Sequence, residues 1–323
     1  MERTIRRVLC PVQLTDFSGG LVRVGSAFAS RYDADLFAVH VLNHARPDAA
    51  RRVGGRPSAQ EAAIRIRGLI RANSDVDPRD VTSAVRQGDP VTEILAYAAR
   101  MAADLIVVGR SVPPRWPRSG AVTTGGEDAV ARDLAPRARC AVLSIETVDE
   151  NGSAAAALPE TFKHIVCGVD FSRPSLYAVS HAIRLAVKAA GFLTLVHVVP
   201  HPTDSWPNKL PRLIHRLRNL VGREVRSACG VREIVAVGRP VDELPKVARR
   251  ESADLLVLGI ADRAGTNESA PTVATIAREH AEIPVLLVPC PGGDFPERDD
   301  PPPCTGSSAS VVSGIGFESE DVQ

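Results

Sequence analysis

The chain repeats itself, and the spacing of the repeat limits what it can fold into. Val8-Leu9-Cys10-Pro11-Val12 corresponds to Ile165-Val166-Cys167-Gly168-Val169, and His40-Val41-Leu42 to His197-Val198-Val199, both at an offset of 157 residues. Further along, Gly88-Asp89-Pro90-Val91-Thr92-Glu93 matches Gly238-Arg239-Pro240-Val241-Asp242-Glu243, and Asp104-Leu105-Ile106-Val107-Val108-Gly109 matches Asp254-Leu255-Leu256-Val257-Leu258-Gly259, at 150. Cys140-Ala141-Val142-Leu143 then matches Ile283-Pro284-Val285-Leu286 at 143. Motifs kept in order, with length drift gathered between them, describe one domain present twice, its drift confined to loops and surface helices. A chain of 323 residues also exceeds the usual single core.

Each copy alternates short β-branched runs with longer 3.6-period segments, the pattern of a parallel sheet with crossover helices. The periodicity predicts strands near 7–12, 36–42, 81–86, 104–109 and 140–145 in the first copy, and near 164–169, 192–199, 232–237, 254–259 and 284–288 in the second. Helices are expected near 18–31, 58–73, 91–102 and 127–135, then near 174–190, 208–228, 241–252 and 272–281. Ser58-Ala59-Gln60-Glu61 reads as a capping box. These elements give domains over 1–147 and 162–290, a linker over 148–161 and a tail over 291–323. The tail is rich in Pro, Gly, Ser and acid and has too little apolar surface to order itself.

No apolar run reaches the length of a membrane helix and the start lacks a signal-peptide core, so a cytosolic chain is expected. The six cysteines include no Cys-x-x-Cys and no paired His spacing, which excludes a structural zinc pattern and a secreted disulfide framework. A net charge of +1 and aromatic content of 4% argue against a nucleic-acid coat. The second helix of each copy is basic, with Arg51, Arg52, Arg56, Arg65, Arg67 and Arg71 in one and Lys209, Arg212, Arg216, Arg218, Arg223 and Arg226 in the other. A solvated helix face accounts for them, with a polyanion surface as the minority reading.

Ile165-Val166-Cys167-Gly168-Val169-Asp170-Phe171-Ser172, Leu193-Thr194-Leu195-Val196-His197-Val198-Val199, Gly238-Arg239-Pro240, Ala253 to Gly259 and Ile283 to Pro289 occur in that order, and the first copy echoes them. On these motifs, over roughly 290 residues, the chain resembles the universal stress protein family. The resemblance implies an α/β fold of two tandem five-stranded parallel-sheet domains, strand order 3-2-1-4-5, of the adenine nucleotide alpha hydrolase-like type. It implies tandem copies paired through their last strands, and ATP as the ligand of some members.

In such a sheet a ligand sits beyond the carboxyl ends of the strands where the order reverses. In the second copy this points to Asp170, as acceptor for a nucleoside or as a turn residue before a Ser172-capped helix. It points also to the Val198 backbone for an adenine edge, and to Gly259 and Thr272 near phosphate, by the glycines and Gly-Ser/Thr helix start that the resemblance implies. The sequence departs from that pattern at Asp262 and at Pro271, which has no N–H to donate. The first copy departs further: Gln13 replaces the aspartate and Val112 the second glycine, so ATP is expected only in the second domain. No catalytic or metal-ligating set is visible, and His40 and His197 read as packed rings. The expectation is a non-enzymatic stress-response or regulatory module with weak adenine nucleotide binding. Its alternative is a structural or interaction protein that binds none; self-association through edge strands is a further expectation, and nucleic acid or membrane is not an expected partner.

Overall fold

A computed structural model of the protein describes residues 5–14, 18–43, 58–73, 81–111, 130, 133–148, 161–200, 206–261 and 283–290. The first copy contributes β1 (Arg7–Pro11), α1 (Ser18–Tyr32), β2 (Asp35–Leu42), α2 (Ala59–Asn73), β3 (Val81–Gln87), α3 (Pro90–Arg100), β4 (Leu105–Ser111), a 3₁₀ turn (Ala135–Arg137) and β5 (Ala141–Val148). The second contributes β6 (His164–Gly168), α4 (Arg173–Ala189), β7 (Phe192–Val199), α5 (Trp206–Arg218), α6 (Arg223–Ala228), β8 (Gly230–Val237), α7 (Pro240–Arg250), β9 (Leu255–Ile260) and β10 (Val285–Pro289). The expected linker core, 149–160, the expected helix at 272–281 and the tail lie outside the described residues.

All ten strands join one sheet in the order β3-β2-β1-β4-β5-β10-β9-β6-β7-β8. Each copy is parallel within itself, with order 3-2-1-4-5, and β5 meets β10 antiparallel. Helices on both faces make the central strands apolar throughout. Val8, Cys10, Ile165 and Cys167 point to the side carrying α1, α2, α4 and α5, while Leu9 and Val166 point to the side carrying α3 and α7. Burial pushes the Cys10 thiol up to about 12 and raises Cys167 as well, as expected of core thiols. The single helix expected over 208–228 is two. Gly222, extended at φ −65° and ψ 163°, caps the start of α6, and Leu220 and Val221 turn into the core between α5 and α6.

The repeat extends to backbone conformation. The six non-glycine residues with left-handed φ among those described form three equivalent pairs: Leu14 (60°) with Phe171 (63°), Asp33 (51°) with Ala190 (46°), and Ala102 (46°) with Ser252 (50°). Gly88 and Gly238 share the turn that opens α3 and α7, at 147° and 139°. Side chains repeat too. Asp104 Oδ2 accepts the N–H groups of Arg6 and Arg7, and the Asp254 carboxylate those of Lys163 and His164, tying the entry of β4 and β9 to that of β1 and β6. Burial pushes the Asp254 carboxyl up in spite of those bonds.

The two copies meet in a pseudo-twofold seam. Leu143 pairs with Leu286, its own counterpart in the repeat, and Val142 and Ser144 pair with Leu287 and Val285 on either side. Phe28 of α1 packs on Phe162 with ring centroids 5.7 Å apart. Arg31 Nη2 donates to the Lys188 carbonyl at 3.0 Å, placing a cation on the C-terminal end of α4. Ser144 is fully buried in the seam, where its Oγ has no hydrogen-bond partner, and its repeat counterpart is Leu287. Ser144→Ala is therefore expected to raise stability by about 1 kcal/mol, since it removes a desolvated hydroxyl. Urea unfolding checks this, and a loss of more than 1 kcal/mol would mean the hydroxyl is bonded.

Candidate functional site

The crevice of the second copy opens where β6 separates β7 from β9. Pairing of β6 with β7 runs one step past the strand, Val169 N–H donating to the Val196 carbonyl at 2.8 Å. The chain then turns sharply at Phe171, and Ser172 caps α4 by accepting from the Ser175 N–H at 3.4 Å. Pro174 in the first turn of α4 suits that position, where no N–H is needed.

Asp170 lies on this turn with its carboxylate committed locally. Oδ1 accepts the Ser172 N–H at 2.9 Å and the Ser172 hydroxyl at 2.5 Å, and the Asp170 N–H donates to Ser175 Oγ at 3.3 Å. Partial burial pushes the carboxyl up, but the hydrogen bonds from Ser172 and Ser175 outweigh it and hold Asp170 below its usual 3.8. A depressed folded-state value means this turn contributes stability above the unfolded value and loses it as pH falls through the folded one. Asp170→Ala is accordingly expected to cost under about 1 kcal/mol at neutral pH, the group being largely solvated, and to shrink that difference below pH 4. Unfolding titrations at pH 3 and pH 7 check both; an equal cost at the two values would mean the carboxylate's charge is irrelevant.

Val198 is buried at 8% exposure on the α7 side of the sheet. Its importance is in the main chain. The Val196 carbonyl points toward β6, and residues two apart on a strand present their peptide groups to the same side, so Val198 presents its N–H and C=O just past the end of β6. The Val199 carbonyl, one step on, faces the other way and accepts from Gly238 N–H at 3.1 Å. Asp170 and the Val198 edge thus border the same crevice mouth.

Gly259 closes the opposite wall. A Cβ there would lie 2.2 Å from the Pro174 carbonyl oxygen and 2.7 Å from Ser175 N, so only glycine lets the first turn of α4 rest against the end of β9. The structure thus gives Gly259 a packing role beside the phosphate role the sequence pattern suggested. Thr272, Asp262 and Pro271 lie outside the described residues, as does Val112 in the first copy.

One arrangement was not legible beforehand. His197 Nδ1 donates to the Val169 carbonyl at 2.7 Å, which fixes its neutral tautomer because a carbonyl only accepts. The ring lies 4.9 Å from Phe171, and the Arg216 guanidinium lies over that same ring at 4.0 Å. These contacts hold the left-handed residue next to Asp170 from two other elements. His40 makes the same 2.7 Å bond to Val12, and burial lowers its pKa despite that bond. The signal was the shared separation of 28 residues between each histidine and its carbonyl. In the first copy Leu14 keeps the left-handed turn, but Gln13 is exposed where Asp170 stands in the second. No group of three metal-capable side chains occurs among the described residues, and no described helix is long and apolar enough to cross a membrane.

The Universal stress protein family model matches residues 4–145 and again residues 161–289. Among solved structures, the chain is similar to a universal stress protein from Archaeoglobus fulgidus DSM 4304, with TM-score 0.59 and 14% identity over 89% of this chain and 97% of that one. It is similar also to a functionally unknown protein from Pseudomonas aeruginosa PAO1 and to a putative universal stress protein from Pseudomonas aeruginosa UCBPP-PA14. Each has TM-score 0.59 and 20% identity over 88% of this chain and 93% of that one. No curated protein matches.

Proposed function

The chain belongs to the universal stress protein family as a tandem two-domain member, and from that premise we propose that it is a non-enzymatic, cytosolic stress-response or regulatory module whose second copy binds an adenine nucleotide such as ATP. The observation that carries the reading is the juxtaposition, in that copy, of an ionised Asp170 with the Val198 peptide edge beyond the end of β6. A carboxylate accepts ribose hydroxyls, and a strand edge offers the paired N–H and C=O that an adenine edge needs. The first copy keeps the left-handed residue Leu14 but has no carboxylate at Gln13, which supports a ligand in the second copy alone.

A scaffold that binds no nucleotide is the competing reading. It is favoured by the bonds that already occupy Asp170 Oδ1 within the turn. Titration calorimetry of the full chain with ATP and with adenosine separates the two. Binding of one equivalent, weakened at least tenfold by Asp170→Ala and unchanged by Gln13→Ala, is expected. No heat with either ligand, or equal losses from both substitutions, would leave the scaffold reading standing. Absence of ATP turnover over the same titration is expected from a module without a catalytic set; phosphate release above background would refute that part.

A further inference from the structure

The fold gathers charge that the sequence disperses. Helices α1, α2, α4 and α5 lie side by side on one side of the ten-stranded sheet, because the seam is a pseudo-twofold that maps that side onto itself. Together these four helices carry twelve Lys and Arg against one acid, Glu61. Ten of the twelve are arginine, and all but the half-buried Arg184 are exposed. Glu61 is spent in its own capping box, accepting from Ser58 N–H at 2.7 Å. On the opposite side, α3 and α7 mix four basic residues with three acids. The near-neutral total hides this separation, since residues 291–323 hold seven acids against Arg298 alone.

We infer that this four-helix face is a docking surface for the phosphodiester backbone of double-stranded nucleic acid, bound without regard to sequence. Nine strand spacings of about 4.8 Å make the face roughly 40 Å across, long enough to follow more than ten base pairs of duplex. Guanidinium groups present planar donor forks that suit phosphate oxygens. A uniformly charged polymer matches a surface where basic side chains far outnumber acids, α6 on the same side adding Arg223, Arg226 and the exposed Glu224, whereas a folded protein partner presents both signs. A lipid surface is disfavoured because, among the described residues of these helices, Ile64 is the one large apolar side chain that is exposed. Aromatic stacking on bases is not required when the backbone is the ligand. The contribution is uneven, because Glu233 of β8 pairs with Arg218 and Arg226 and reduces the field at that end of α5.

The test is fluorescence anisotropy of the full chain with a labelled 20-base-pair duplex of mixed sequence, titrated between 25 and 200 mM salt. Contact with about four to six phosphates predicts that log K falls with log salt at a slope of roughly −4 to −5. Lys209→Glu with Arg212→Glu, on α5, should weaken binding at least tenfold, and so should Arg67→Glu with Arg71→Glu, on α2. Lys246→Glu with Arg249→Glu, on the opposite side, should change it less than twofold. The four altered sites on α2 and α5 are exposed, and thermal melting of each variant confirms folding. Failure to bind at 25 mM salt would overturn the inference. So would equal losses from the α7 variant, or tighter binding to phosphatidylserine vesicles or polyglutamate than to the duplex.

Discussion

Gly259→Ala is expected to lower the stability of the second copy by about 3 kcal/mol, the upper end of the usual overpacking cost, because the obstructing atoms are backbone. The new methyl would overlap the Pro174 carbonyl at 2.2 Å, and neither that carbonyl nor Ser175 N can swing aside as a flexible side chain does. Relief comes only by moving the start of α4 off β9. The melting transition should fall by roughly 6–12 °C for a unit of this size. Nucleotide binding should go with it, since the displaced turn carries Asp170. Gly68→Ala is the control: a Cβ at that mid-helix position of α2 meets nothing, and helix propensity predicts a gain of about 1 kcal/mol. A melting point for Gly259→Ala within a degree of the unmodified protein would show that the close approach does not exist.

The second large effect is at the seam. Leu143 is fully buried and Leu286 nearly so, and they stand directly opposite each other. Truncation of Leu143 to alanine should cost about 2–5 kcal/mol, and of Leu286 a similar amount. The diagnostic quantity is the coupling. Side chains directly opposed across two strands should be non-additive by at least about 0.5 kcal/mol in a double-mutant cycle. Additive losses would mean that β5 and β10 do not pair in solution and that the copies fold as separate sheets.

The repeat made the architecture legible. Three offsets placed ten strands, and apolar runs such as Val285-Leu286-Leu287-Val288 marked strands buried on both sides, while the order within each copy and the pairing through last strands came from the family resemblance. What local pattern could not give was the break at Gly222, where a helical period continues although Leu220 and Val221 are needed in the core. At the site, the sequence identified Asp170, Val198 and Gly259 as residues but not their work. Asp170 carries both a turn, through Ser172 and Ser175, and an exposed charge, while Gly259 faces helix backbone of a segment more than 80 residues away in the chain. The Arg216–Phe171–His197 cluster was not readable from local pattern, as it joins a helix, a turn and a strand. The sequence shows a basic second helix in each copy but not that the two share one face with α1 and α4, because helices on the same side lie in different copies.

The antiparallel seam has a consequence for synthesis. β5 leaves the ribosome 143 residues before the equivalent strand β10, which at about 5–20 residues per second is an interval of roughly 7–30 s. Throughout it the newly folded first copy displays Ala141-Val142-Leu143-Ser144-Ile145 as an unpaired strand edge, the kind of template on which neighbouring nascent chains aggregate. Ser144 is the one polar residue in that stretch. The hydroxyl that has no partner in the finished sheet interrupts an otherwise continuous apolar edge while the partner strand is still being made.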